Sequence, residues 1–279
     1  MKIGGCVVLY NPGVETLGNV ETYRSFLSEL IVVDNSPSPN AVSNEIAALD
    51  KVRYFNMGGN AGIATALNIG CRSLQESGCD IALTMDQDSR FPLNDASEII
   101  EKVVCLLSDY ALVGLNFNVE EANTEREITE VKYWLTSGNF LSLAAYDAVG
   151  GFNDDLFIDY VDIEFGHRLK EAGLKLCYLN QYSLTHEIGS PIAIKIFGRT
   201  YYAMNHSPVR YYYRYRNSSY LYKGDKKFYR EKYFKELLIN IPKMILFESN
   251  RMSKIKMIRR GLSDGLHGVL GPYREVRDE

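Results

Sequence analysis

The stretch Asp80-Ile-Ala-Leu-Thr-Met-Asp-Gln-Asp-Ser89 decides how the chain folds. Ile81 to Met85 is a short apolar run, the pattern of a strand buried on both faces. Two carboxylates, Asp86 and Asp88, follow at once, so they emerge where that strand ends. Upstream, runs of the same kind occur at Gly5–Leu9, Leu30–Asp34 and Val52–Phe55, and helical patterns separate them near Val14–Leu27, Ala41–Leu49 and Ala61–Leu74. Apolar strands alternating with helices predict an α/β fold with a mostly parallel central sheet flanked by helices. Such sheets bind ligands beyond the carboxyl ends of their strands. Polar residues gather at those ends: Asn11, Asp34-Asn-Ser36, Asn56 and Asp86-Gln-Asp88.

Downstream, a helix near Asn94–Leu107 and a strand at Ala111–Leu115 continue the alternation. Asn118 to Thr129 is polar and acidic and reads as a surface excursion, Val131–Leu143 as strand or loop, and Asp159–Ala172 as a helix. From about Pro208 the chain turns basic and tyrosine-rich, with helical patterns to about His267.

With 46% hydrophobic residues among 279, the chain has enough apolar side chain for a core of useful size. A net charge of −4 hides an asymmetry: 12 Lys+Arg face 27 Asp+Glu up to Ile194, and 19 face 8 from Lys195 onward. The basic part points to an anionic partner. Nucleic acid is disfavoured, because the first part is strongly acidic. Five scattered cysteines without a C-x-x-C pair suggest neither a disulfide framework nor a zinc site, and a reducing compartment. Ile3–Leu9 is too short for a signal segment, and the ~18 apolar residues of a membrane span occur nowhere. A cytoplasmic protein is expected.

Paired carboxylates after a buried strand suit Mg²⁺ or Mn²⁺, hard cations that take oxygen ligands and help a diphosphate depart. An acidic surface loop is the plainer alternative. Asp34 can accept from the N–H of a pyrimidine base, or serve as a turn residue bonding its own backbone. Gly58-Gly-Asn-Ala-Gly62 lets backbone approach a ligand ahead of a helix, or Asn60 simply caps that helix. Asp159, Asp162 and Glu164 are close in sequence at a helix start. A carboxylate there can take a proton from a hydroxyl, or merely complement the helix dipole. His186 reads in isolation as structural.

In order, Val-Val-Leu-Tyr10-Asn11, Ile-Val-Val-Asp34-Asn-Ser, Gly-Gly-Asn60-Ala-Gly62, Asp86-Gln-Asp88, Thr136-Ser-Gly138, Asp162-Ile-Glu164, His186 and Arg214-Tyr-Arg-Asn217 resemble glycosyltransferase family 2. The resemblance implies a GT-A nucleotide-diphospho-sugar transferase fold, inversion at the anomeric carbon and a divalent metal. It makes Tyr10, Asp34, Asn60, Gly62, Asp86 and Asp88 donor-binding residues, with Asp86 near the ribose, Asp88 on the metal and His186 at the metal or diphosphate. Asp162 becomes the base with Glu164 beside it, and Gly138 and Asp159 lie on the acceptor side. Many members carry Glu-Asp-x-Asp where this chain has Val161-Asp162-Ile-Glu164. The Asp-Gln-Asp-Ser wording with Tyr-Asn-Pro resembles the bacterial rhamnosyltransferase branch. That branch implies dTDP-L-rhamnose as donor, a UDP-sugar being the other choice, and a saccharide or lipid-linked acceptor in cell-surface glycan synthesis.

The implied organisation is a catalytic domain over residues 1–207, its donor half ending near 115 and its acceptor half running from 116, then a helical extension over 208–279. In that extension Lys243, Arg251, Lys254, Lys256, Arg259 and Arg260 accompany Met244–Phe247, Met252 and Ile255, with Glu248 opposing them. An apolar face rimmed by cations suits the inner face of a membrane, and equally a homodimer contact. Two other functions stay open: a sugar-nucleotide nucleotidyltransferase, which would want a basic glycine-rich loop after the first strand, and a non-catalytic nucleotide-sugar binder.

Overall fold

A computed structural model describes the chain apart from residues 118–125, 187–191, 197–198, 204 and 275–279, and describes the backbone alone at 186, 192–196 and 199–203. Two compact units result: Met1–Asn153 with Val161–Glu187, and Asp154–Tyr160 with Ile188–Glu279. The short segment 154–160, drawn from the middle of the first unit's sequence, groups with the C-terminal part.

The first unit is a nine-stranded sheet with helices. In chain order its elements are β1 (Ile3–Leu9), α1 (Glu15–Arg24), β2 (Leu30–Asp34), α2 (Ala41–Ala47), β3 (Val52–Asn56), α3 (Ile63–Glu76), β4 (Ile81–Asp86), β5 (Ser89–Arg90), α4 (Ala96–Leu106), β6 (Leu112–Phe117), β7 (Ile128–Glu130), β8 (Asn139–Ser142), α5 (Leu143–Ala148), α6 (Val161–Glu171) and β9 (Leu176–His186). Strands run in the order β3-β2-β1-β4-β8-β6-β9-β5, with β7 on β9. The first four are parallel, β2, β1 and β4 being largely apolar and buried and β3, with Arg53 and Asn56, only partly so; β8 then pairs antiparallel with both β4 and β6. Register aligns Leu9 with Asp34, Asp34 with Asn56, and Val8 with Asp86, so four carboxyl ends share one edge. α3 lies close on β1: a Cβ at Gly70 would stand 2.0 Å from Cys6 Sγ. Leu67 and Leu74 of that helix are fully buried, each worth about 1.5–3 kcal/mol.

The long strand β9 was not anticipated. Its second half alternates, with Tyr182 and Leu184 buried, and that period of two was its readable signal. The helix expected from Asp159 starts at Val161 instead. Phe157, Asp159 and Tyr160 carry φ of 64°, 62° and 67°, a left-handed conformation that interrupts any helix and costs about 1–3 kcal/mol per non-glycine residue.

In the second unit, β10 (Ile192–Ile196) and β11 (Arg199–Ala203) form a hairpin. It is followed by α7 (Pro208–Gly224), α8 (Lys226–Lys235), a π-helical turn Glu236–Asn240, α9 (Ile241–Phe247) and α10 (Arg251–His267). Tyr211, Tyr215, Met244 and Ile258 form its core. α10 lies almost on the α7 backbone, because Gly261 and Gly265 offer no Cβ: one would stand 2.4 Å from the Tyr212 carbonyl and 2.2 Å from that of Arg216. No helix among the described residues is long and apolar enough to cross a membrane.

Candidate functional site

The shared strand edge of the first unit gathers most of the residues singled out above. Asp86 and Asp88 are half-buried at the end of β4. The Ser137 hydroxyl accepts from the Asp86 N–H at 3.0 Å and donates to Ser89 Oγ at 2.7 Å. Gln87, between the two acids, acts as a staple. Its Oε1 accepts from Tyr10 N at 2.7 Å, its Nε2 donates to Tyr10 O at 3.2 Å, and its own carbonyl accepts from Asn19 at 3.0 Å. The Tyr10 ring, 48% exposed, therefore stands on a fixed backbone at the end of β1.

The neighbouring loops are locked by amides as well. Asn11, at φ 47°, donates its N–H to Ser36 Oγ at 2.7 Å, and Asn35 Nδ2 reaches the Gly62 carbonyl at 3.1 Å. Asn60 is exposed, and its Oδ1 takes the Gly62 N–H at 2.9 Å just ahead of α3. Gly62 needs no side chain there, since its φ of 90° suits glycine.

Asp34 is wholly buried. Its Oδ1 accepts from the Ser36 N–H at 2.8 Å, the turn that its Asp-Asn-Ser-Pro setting allowed. Its Oδ2 accepts from Ser43 Oγ at 2.7 Å and the Tyr54 hydroxyl at 2.6 Å. Burial alone would raise its pKa, but hydrogen bonds from Ser36, Tyr54 and Ser43 outweigh it and hold the carboxyl below its ordinary value. Tyr54, unremarked in the sequence, is thus the hydroxyl next to the expected base reader.

Gly138 shapes the site by absence: at φ 70°, a Cβ there would meet Leu184 Cδ1 at 1.9 Å. Its N–H bonds the Thr84 carbonyl at 2.8 Å, tying this loop to β4. Asp162, half-buried in the first turn of α6, accepts its neighbour's N–H at Oδ1. Glu164 has a different task. Arg168 grips it with two bonds of 2.7 and 2.8 Å and also donates to the Val149 and Gly151 carbonyls, pinning the preceding turn to α6. Asp159, in the second unit, pairs with Arg210 at 3.3 Å.

The donor set at the β4 end fits a divalent cation. Asp86 and Asp88 offer oxygen; β5 pairs with β9 so that the His186 backbone lies opposite Ser89, and the His186 side chain lies outside the described residues. Among the described residues no three His, Cys, Asp or Glu side chains form a closed cage. A cation held by one or two carboxylates and completed by substrate phosphates needs none.

No protein-family model matches the chain. It is 28% identical to the dTDP-rhamnosyl transferase RfbF of Shigella flexneri across 98% of both chains. It is 24% identical to a low-salt glycan biosynthesis hexosyltransferase of Haloferax volcanii, over 58% of this chain and 60% of that protein. Among solved structures, GalNAc-T7 with UDP, GalNAc and Mn²⁺ aligns with a TM-score of 0.60 at 12% identity, covering 96% of this chain and 56% of the other. Staphylococcus aureus TarS with UDP-GlcNAc aligns at 0.57 and 13%, covering 96% and 82%. This chain therefore spans just over half of the GalNAc-T7 chain and most of that TarS chain. At such identities the structural likeness establishes the fold, the GT-A arrangement of glycosyltransferases.

Proposed function

We infer that this chain is a nucleotide-sugar glycosyltransferase of the family 2 kind, and that it transfers L-rhamnose from dTDP-L-rhamnose to an acceptor hydroxyl with inversion. The observation that supports this reading is the shared strand edge, where the aligned carboxyl ends of β1, β2, β3 and β4 put Tyr10, Asp34 and Asp86 on one side of the sheet; Asp162, in the first turn of α6, is the carboxylate we assign as base. The full-length likeness to a dTDP-rhamnosyl transferase supports the choice of sugar.

In this reading Tyr10 stacks on the base and Asp34 orders the turn beneath it through Tyr54 and Ser43. Asp86 accepts from the ribose. Asp88, with His186, would hold Mg²⁺ or Mn²⁺, which supplies charge neutralisation to the departing diphosphate. Asp162 takes the proton from the acceptor hydroxyl as its oxygen bonds to the anomeric carbon. The bond from that carbon to the diphosphate oxygen breaks on the opposite face, so dTDP leaves and the configuration inverts. Glu164 holds α6 against the 149–151 turn and takes no proton. In this reading the first unit works on the donor, and the second carries the basic extension.

The direct test is a thermal-shift screen of dTDP-L-rhamnose against UDP-sugars with and without Mn²⁺, followed by assay of dTDP release. Stabilisation by dTDP-L-rhamnose alone is expected, since a ligand that binds only the native state raises its stability by mass action. Stabilisation by UDP-sugars alone would overturn the donor assignment.

The acceptor side includes a saccharide or lipid-linked substrate and peripheral contact with an anionic membrane face. The extension supports it unevenly. Lys254 is buried with Glu248 at 2.7 Å, and Arg260 faces Asp264 at 3.6 Å, so these two do not serve a membrane. Lys226, Lys227, Arg230, Lys235, Arg251, Lys256 and Arg259 are exposed, as are Leu238, Ile239, Leu246 and Met252. Glu231 is the exposed carboxylate among them. Salt-sensitive sedimentation with phosphatidylserine vesicles, absent with neutral ones, is the expected result. A concentration-dependent dimer without vesicle binding assigns the same face to a second copy.

A further inference from the structure

Arg216 and Asn217 belong to a motif whose purpose the reaction does not explain. Both are fully buried in α7. Asn217 Nδ2 donates to three carbonyls of one short segment, Leu156 at 2.9 Å, Ile158 at 2.9 Å and Asp159 at 2.8 Å. Arg216 Nη2 adds the carbonyls of Asp155 at 3.0 Å and Leu156 at 2.9 Å. Its Nε is held by Asn217 Oδ1 at 2.9 Å, which fixes both side chains. The Phe157 ring stacks on Tyr213 at 4.6 Å, and Arg210 pairs with Asp159. The Asn217 amide nitrogen and Arg216 Nη2 are thus both spent on backbone oxygens of residues 155–159, while Arg216 Nη1 takes the Gly271 carbonyl.

That segment is the one with Phe157, Asp159 and Tyr160 in the left-handed region. Backbone of this kind persists only where its surroundings over-determine it. It ends at Tyr160, and Val161 and Asp162 begin α6. We propose that Arg216 and Asn217 are positioning residues for transfer: they clamp Asp154–Tyr160 in a conformation it would not keep alone, and so fix the backbone from which Asp162 is presented. The role rests on Asp162 as the base, but the clamp itself does not.

Two measurements on the full chain test it. Asn217→Asp keeps the shape of the side chain and removes its donors; Asn217→Ala removes both, and Arg216→Lys keeps charge without the fork. In Asn217→Asp, amide exchange across 154–164 should accelerate about tenfold while β1 and β4 stay protected. Release of dTDP from dTDP-L-rhamnose should fall about 100-fold in kcat, with donor KM changed by less than about twofold. Unchanged exchange across 154–164, or accelerated exchange there with kcat unchanged, would overturn the proposal. Normal turnover in Asp162→Asn, beside the expected exchange pattern, would instead remove the base and leave the clamp standing.

Discussion

The strand edge of the first unit and the helices of the second handle polar groups in opposite ways. At the edge, Asp86 and Asp88 stand half-buried while neutral side chains do the fixing: Gln87 on Tyr10, Asn35 on Gly62, Asn60 on Gly62, Ser137 on Asp86. In the second unit, charge is buried against charge. Lys254 meets Glu248 at 2.7 Å and Arg214 meets Glu236 at 2.8 Å, with three of those four side chains under 5% exposed. Neutral fixing leaves carboxylates to meet a ligand, whereas buried pairs use up their charge on holding one conformation. Changes at the edge should therefore cost activity and spare stability, and changes in the helices should do the reverse.

The largest effect falls on the metal reading. Chelation, or Asp88→Asn, is expected to abolish dTDP release while the unfolding midpoint stays put; full turnover in excess chelator would remove the metal from the mechanism. Next comes Asp162→Asn. Loss of a positioned base should slow transfer about 10²–10⁴-fold, with dTDP-L-rhamnose binding unchanged by calorimetry, and near-normal turnover would point to another carboxylate. The opposite pole of the comparison is Glu248→Gln. It removes the charge facing the buried Lys254 ammonium and one of the two oxygens, each 2.8 Å away, that share the Tyr211 hydroxyl proton, at about 3–5 kcal/mol by denaturant titration. A loss below about 1 kcal/mol would mean that this pair is screened like a surface one.

The smallest effect separates the units by pH. Burial, with Arg210 and Arg214 nearby, pushes His206 down to about 4 from 6.5, although Asp159 and Glu248 pull the other way. Its folded pKa lies below its unfolded one, so the unfolded chain binds the extra proton first. That contribution is whole above pH 6.5 and is lost as pH falls toward 4. Asp34, held below its ordinary 3.8, gives way lower still. Amide exchange should thus rise in α7–α10 before β1–β4 on acidification, and His206→Gln should flatten the early phase. Simultaneous loosening of both regions would erase the distinction.

The parallel strands were legible because a strand covered on both faces is mainly apolar: Gly5–Leu9 and Leu30–Val33 are wholly so, and Thr84 alone interrupts Ile81–Met85. The edge residues were legible by position, since Asp34 and Asp86 follow those runs directly. What escaped depends on contacts distant in sequence. No local pattern shows that Gln87 bonds Tyr10, or that Lys254 and Glu248 are buried together rather than rimming a surface. Asp162 and Glu164 look alike in sequence; Arg168, one helical turn beyond Glu164, separates their tasks. The start of α6 was misread because nothing local shows that Phe157, Asp159 and Tyr160 are left-handed; the bonds from Asn217 to the Leu156, Ile158 and Asp159 carbonyls come from a helix far along the chain.

Gln87 has a consequence for how the donor arrives. Its amide meets Tyr10 through both an acceptor and a donor, as the next residue of a neighbouring strand would, so the sheet continues sideways past its last strand residue. The loop after β1 is then built before any ligand is present. A ring that is already standing loses little freedom when something stacks on it, so association should proceed as a single encounter without a slow closing phase.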